Sequence, residues 1–115
     1  MARYTGLFKV SASATNLQQI LGEVLESCNF NLVYQAEDYL MARERPGQVA
    51  YYQLVTVEVL IDRGTAAAEA IQMNMVIKNE ELPLQVDNHC RQIYQQVSQA
   101  MINTHHWQLI EAVAS

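Results

Sequence analysis

The chain has 115 residues, half of them apolar and 17% charged, and carries a net charge of −5. That length makes one ordinary domain, 1–115, and that apolar share builds a core without disulfides or metal. The acidic balance argues against nucleic acid and against an anionic membrane surface, because both select clustered cations, whereas the seven Lys and Arg are scattered through the sequence.

No apolar run approaches the roughly 18 residues of a membrane span. The first residues, Met1 to Gly6, lack the apolar segment of a signal peptide. The expectation is therefore a cytoplasmic protein whose Cys28 and Cys90 are reduced thiols. Gln18, Gln19, Gln92, Gln95, Gln96 and Gln99 stand where a soluble helix more often shows Lys or Glu. Uncharged polar surface is cheaper to desolvate than ionised surface, which favours contact with a partner.

In chain order, residues 4–12 read as a first strand, with Leu7-Phe8-Lys9-Val10 at its centre. Thr15 and Gln18 fit a Thr-x-x-Gln capping box. A helix follows, because Leu17, Ile20, Leu21, Val24, Leu25 and Cys28 recur on one stripe of a 3.6-residue period. Asn29 suits its stop. Phe30, Leu32 and Tyr34 then alternate with Asn31, Val33 and Gln35. Glu37-Asp38 interrupts that strand, Tyr39 to Arg45 resumes it, and Pro46-Gly47 marks a turn.

The longest strand is expected over about Val49 to Asp62. Val55, Val57, Val59 and Ile61 point one way, and Leu54, Thr56, Glu58 and Leu60 the other. Its partner runs from about Glu69 to Asn79, with Ile71, Met73, Met75 and Ile77 on one face. Opposed antiparallel residues share a face, so the two odd-numbered stripes must pair odd with odd. The connection from Arg63-Gly64 through Thr65-Ala66-Ala67-Ala68 therefore has odd length or a bulge. Pro83 suits the first turn of a second helix reaching Asn103, with Val86, Cys90, Ile93, Val97, Ala100 and Met101 as its stripe. Residues 105–113 fit either a strand or a helix. Together these elements predict an α+β fold: one antiparallel sheet of four or five strands in the order β-α-β-β-β(-β)-α, with both helices on one face.

Chemistry-bearing residues form no convincing constellation. Cys90 and His105 are 15 residues apart, roughly 20 Å along a continuous helix, so His89, Cys90, His105 and His106 do not make a tetrahedral metal site. Cys90 in a helical first turn would have its pKa lowered by the dipole, yet it also belongs to the core stripe. Glu37-Asp38 and Glu80-Glu81 sit by turns, where carboxylates are usually solvated. No phosphate loop, nucleophile elbow or H-E-x-x-H is present. No catalytic residue, metal or cofactor is expected.

Two functional expectations remain. The first is a non-enzymatic interaction or assembly module acting through the sheet face that the helices leave open. Tyr52, Leu54, Leu60 and Val76 would be its contacts, and a protein partner or a second copy its occupant. The second is a carrier of a small apolar ligand, in a pocket lined by Met73, Met75, Val97 and Met101 between the sheet and the C-terminal helix. A closed cavity above roughly 300 Å³ would favour the carrier, and a filled core the surface module.

Overall fold

The computed structural model describes residues 1–12, 14–62, 70–82 and 88–114, with backbone alone for Ala14 and Thr15. It contains strand β1 (Ala2–Ser11), helix α1 (Ala14–Ser27), strands β2 (Phe30–Gln35), β3 (Tyr39–Glu44), β4 (Thr56–Asp62) and β5 (Ala70–Asn79), helix α2 (His89–Asn103) and strand β6 (Gln108–Ala114). All strands join one antiparallel sheet in the order β2-β3-β4-β5-β1-β6. The α+β class and single antiparallel sheet are as the sequence predicts, but the sheet has six strands. The extra one is the ambiguous tail, whose Trp107 is buried and donates from Nε1 to the Met101 carbonyl. That anchor turns the chain back along β1 as an edge strand.

Both helices pack on one face. The alternate residues Phe8 and Val10 of β1, Leu40 and Ala42 of β3, Val57, Val59 and Ile61 of β4, and Ile71, Met73, Met75 and Ile77 of β5 form one buried cluster. Leu17, Leu21, Val24 and Leu25 of α1 and Cys90, Ile93, Val97 and Met101 of α2 complete it. The β4–β5 register pairs Val57 with Ile77, Val59 with Met75 and Ile61 with Met73, odd with odd as the stripes require. The connecting residues 63–69, Pro83, Val86 and Asp87 lie outside the described residues.

Three local expectations need correction. Thr15 lies inside α1 and cannot cap it, and Gln18 instead donates to the Ala36 carbonyl and accepts from Gln35. The α1 stop, by contrast, is Asn29 as expected, in the left-handed region at φ 72°, which Asn tolerates. The strand expected from Val49 begins only at Thr56, because Tyr51–Gln53 form a single 3-10 turn whose Leu54 amide returns to the Tyr51 carbonyl. In β2 the register shifts between Leu32 and Tyr34. Val33 is the extra residue, so Tyr34 leaves the face of Phe30 and Leu32.

Gly6 marks a close approach. A Cβ there would sit 2.9 Å from the Tyr94 hydroxyl, which donates to the Thr5 carbonyl at 3.0 Å and ties α2 to β1. Leu25 and Ile93 stand for the two helices in the core. Leu25→Ala and Ile93→Ala should each destabilise by roughly 2–5 kcal/mol. An unchanged denaturation midpoint in both variants would contradict this packing.

Candidate interaction surface

No described element packs over the sheet face opposite the helices. Antiparallel register sorts its side chains into rows across the strands. The first row is Asn31, Arg43, Thr56, Lys78 and Arg3. The second is Tyr34, Met41, Glu58, Val76 and Thr5. The third is Tyr39, Leu60, Asn74, Leu7 and Val113. The fourth is Asp62, Gln72, Lys9 and Glu111.

Apolar side chains gather towards the middle of this face, with exposed Asn74 between Leu60 and Leu7. Leu60 is 52% exposed and Val113 46%, with half-buried Leu7 and Val76 between them. Thr5, Leu7, Asn74, Val76 and Val113 line a shallow depression of about 430 Å³. A polar ladder crosses beside it. Glu58 accepts from the Tyr39 hydroxyl at 2.8 Å and pairs with Lys78 at 2.5 Å. The bonds from Lys78 and then Tyr39 hold the Glu58 carboxyl below its ordinary range, against the opposing effect of burial, with the Lys78 and Arg3 charges assisting.

The first-row end is walled by the 3-10 turn. Tyr51 and Tyr52 are exposed there, while Leu54 is only 6% exposed. Leu54 precedes β4 and lies outside the main core cluster. It lines a cavity of about 220 Å³ with Met1, Arg43, Tyr51, Tyr52, Thr56 and Lys78. The Arg43 guanidinium lies 5.5 Å from the Tyr51 ring centroid, a cation–π distance.

On the helix side of the same end sits a buried polar cluster. Glu44 and Glu81 are both buried, and the expectation of a solvated Glu81 is corrected. Glu81 accepts from Asn79 Nδ2 at 2.5 Å, the Cys90 amide at 2.8 Å and the His89 amide at 3.2 Å. These are first-turn amides of α2, which lack intrahelical partners and carry the positive end of the dipole. Asn88 is the N-cap and accepts from the Arg91 amide at 2.7 Å. His89 Nε2 lies 2.9 Å from each Glu44 carboxylate oxygen, and Glu44 also accepts from the Val55 amide. Asn79 donates to the Gln53 carbonyl at 3.0 Å and the Glu80 amide to that of Tyr52 at 3.1 Å. The cluster thus fixes the turn whose tyrosines face the open side.

Cys90 does lie in the first turn of α2, but the dipole does not activate it. Burial, then the Glu81 and Glu44 charges, push its thiol up to about 12. Its Sγ faces the Ala2 and Ile77 carbonyls. Cys28 is likewise raised by burial, and both cysteines are free. His105 and His106 are exposed beyond the α2 C-terminus. Among the described residues no three His, Cys, Asp or Glu are grouped to hold a metal ion, and no helix is long and apolar enough to cross a membrane.

Met73, Met75, Val97 and Met101 are fully buried in the packed cluster. A cavity of about 480 Å³ does lie between α2 and the sheet, but it is an edge groove lined by Phe8, Tyr94, Ser98, Ile102, Ala112 and Val113. The basic row escaped the sequence reading because Arg3, Arg43 and Lys78 are far apart in the chain. Only the strand order and register bring them together. The pairing offset of each strand was the signal that could have found it.

Folding lowers the Glu81 carboxyl: burial alone would raise it, but the bonds from Asn79 and the Cys90 and His89 amides together outweigh that. Its ionised form therefore stabilises the fold above the ordinary 4.5, and this is lost as pH falls through the depressed value. Glu81→Gln should cost on the order of 2 kcal/mol at neutral pH and flatten the acid limb of the stability curve. Equal stability with an unchanged acid limb would contradict the cluster's role. Ellman's reagent should titrate neither buried thiol in native protein at about pH 8, and both after unfolding. A rapidly reacting native Cys90 would contradict its burial. No family model matches this chain, and no curated protein matches it in sequence.

Proposed function

We propose that the protein is a non-enzymatic interaction module that binds a partner protein through the open face of its sheet. The observation that carries the reading is the apolar centre formed by Leu7, Leu60, Val76 and Val113, with Arg3, Arg43, Lys78, Asp62 and Glu111 around it. An apolar centre within a polar rim is the make-up of a protein interface, and on a sheet it is presented without rearrangement. Of the four contacts expected from the sequence, Leu60 and Val76 are in the central rows, whereas Tyr52 and Leu54 are at the first-row end. Self-association is the second reading, favoured by the same apolar centre. The carrier alternative would now use the α2 edge groove rather than the methionines.

A photo-crosslinking amino acid tests the face directly. Placed at Leu7 in the native cell, it should give discrete protein adducts that Leu60→Glu diminishes while the fold persists. Placed at Gln95 on exposed α2 surface, it should give none of them. An adduct of twice the monomer mass would identify a second copy. Equal adducts from both positions, or none from Leu7, would contradict the assignment.

A further inference from the structure

We propose that the first row of the open face binds an acidic segment of a partner protein. Its carboxylates would meet Arg43 at one end and the Lys78–Arg3 pair at the other. The proposal rests on the interaction-surface reading and names the partner's chemistry.

In a chain of net charge −5, the register places three cations in one row. Lys78 and Arg3 are directly opposed on neighbouring strands, an arrangement that is unfavourable unless an anion lies between them. Glu58 pairs with Lys78 and is near enough to Arg3 to feel its charge, so it offsets this pair in part, but it also holds Tyr39. Arg3 and Arg43 are exposed. Between the two cationic ends lies the 220 Å³ cavity, with Tyr51, Tyr52 and the exposed Glu80 on its wall and buried Leu54 beneath. It suits an apolar side chain set between two acids.

The spacing defines the segment. Strands about 4.8 Å apart put Arg43 roughly 12 Å from the midpoint of Lys78 and Arg3. An extended chain advances about 3.4 Å per residue, so the carboxylates lie three or four positions apart.

A second copy fits this row poorly. A two-fold axis along the strands stacks the row on itself, and one across them sets Arg3 over Lys9, since both belong to β1. Nucleic acid fits poorly too, because Glu58, Asp62 and Glu111 share the face and three cations neutralise few phosphates.

The test is fluorescence polarisation at low salt with a labelled peptide, Ser-Gly-Glu-Ala-Leu-Ala-Glu-Gly-Ser. Its Gln-for-Glu analogue and an oligothymidylate of similar length are the comparison probes. The acidic peptide should bind saturably and about tenfold tighter than the analogue. Arg43→Gln and Lys78→Gln should each weaken it about fivefold, with circular dichroism confirming the fold. Glu58→Gln should tighten it by releasing Lys78, and Lys9→Gln in the fourth row should leave it unchanged. The proposal is overturned if neither wild type nor Glu58→Gln binds the peptide saturably, or if Lys9→Gln weakens it as much as Arg43→Gln. Tighter binding of the oligothymidylate also overturns it. Adducts at Leu7 without peptide binding would leave the face assignment standing and remove this one.

Discussion

The Glu81 carboxylate at the N-terminus of α2 is the interaction on which the rest of the arrangement depends. A buried carboxylate is costly unless its oxygens are filled, and here two first-turn amides and Asn79 fill them. The same contacts satisfy helix donors that would otherwise be orphaned. Each requirement is met by the other, so α2 is held at one end of the sheet and on one side of it. Glu44 extends the constraint by joining β3, His89 and the segment entering β4.

The consequence appears on the opposite side of the sheet. With α1 and α2 both committed to one face, the other keeps its apolar centre and its charged rows. The 3-10 turn connects the two sides: Gln53 is gripped by Asn79, while Tyr51 lies against Arg43. The interior that fixes the fold thereby shapes the first-row end of the exposed face. Fully packed methionines and a thiol pushed up to about 12 leave the described interior with little of the openness or nucleophilicity that an internal site would use.

Periodicity revealed the parts of this structure that depend on one element at a time. The α1 stripe, the odd-with-odd pairing of β4 and β5 and the single antiparallel sheet all follow from the spacing of apolar residues. What depends on distant partners did not show. Tyr51 to Leu54 alternate like strand residues, yet bonds from Asn79 and Glu80 hold them as a turn. Glu81 reads as a solvated turn residue because its donors come from residues 88–90 folding back onto it. The tail was ambiguous because Leu109 and Val113 suit two periods, and its pairing with β1 decides between them. Alternation points to Leu54, Leu60 and Val76 for the open side, but the basic row beside them emerges only once β3, β4, β5 and β1 are paired.

Methyl NMR with a soluble gadolinium chelate measures the openness of the face most directly. In dilute protein, the Leu7, Leu60, Val76 and Val113 methyls should relax strongly, while Val57, Val59, Ile71 and Ile77 stay protected. Equal protection of both sets in the monomer would show that the protein's own chain covers that face, and would contradict its role as an interaction surface.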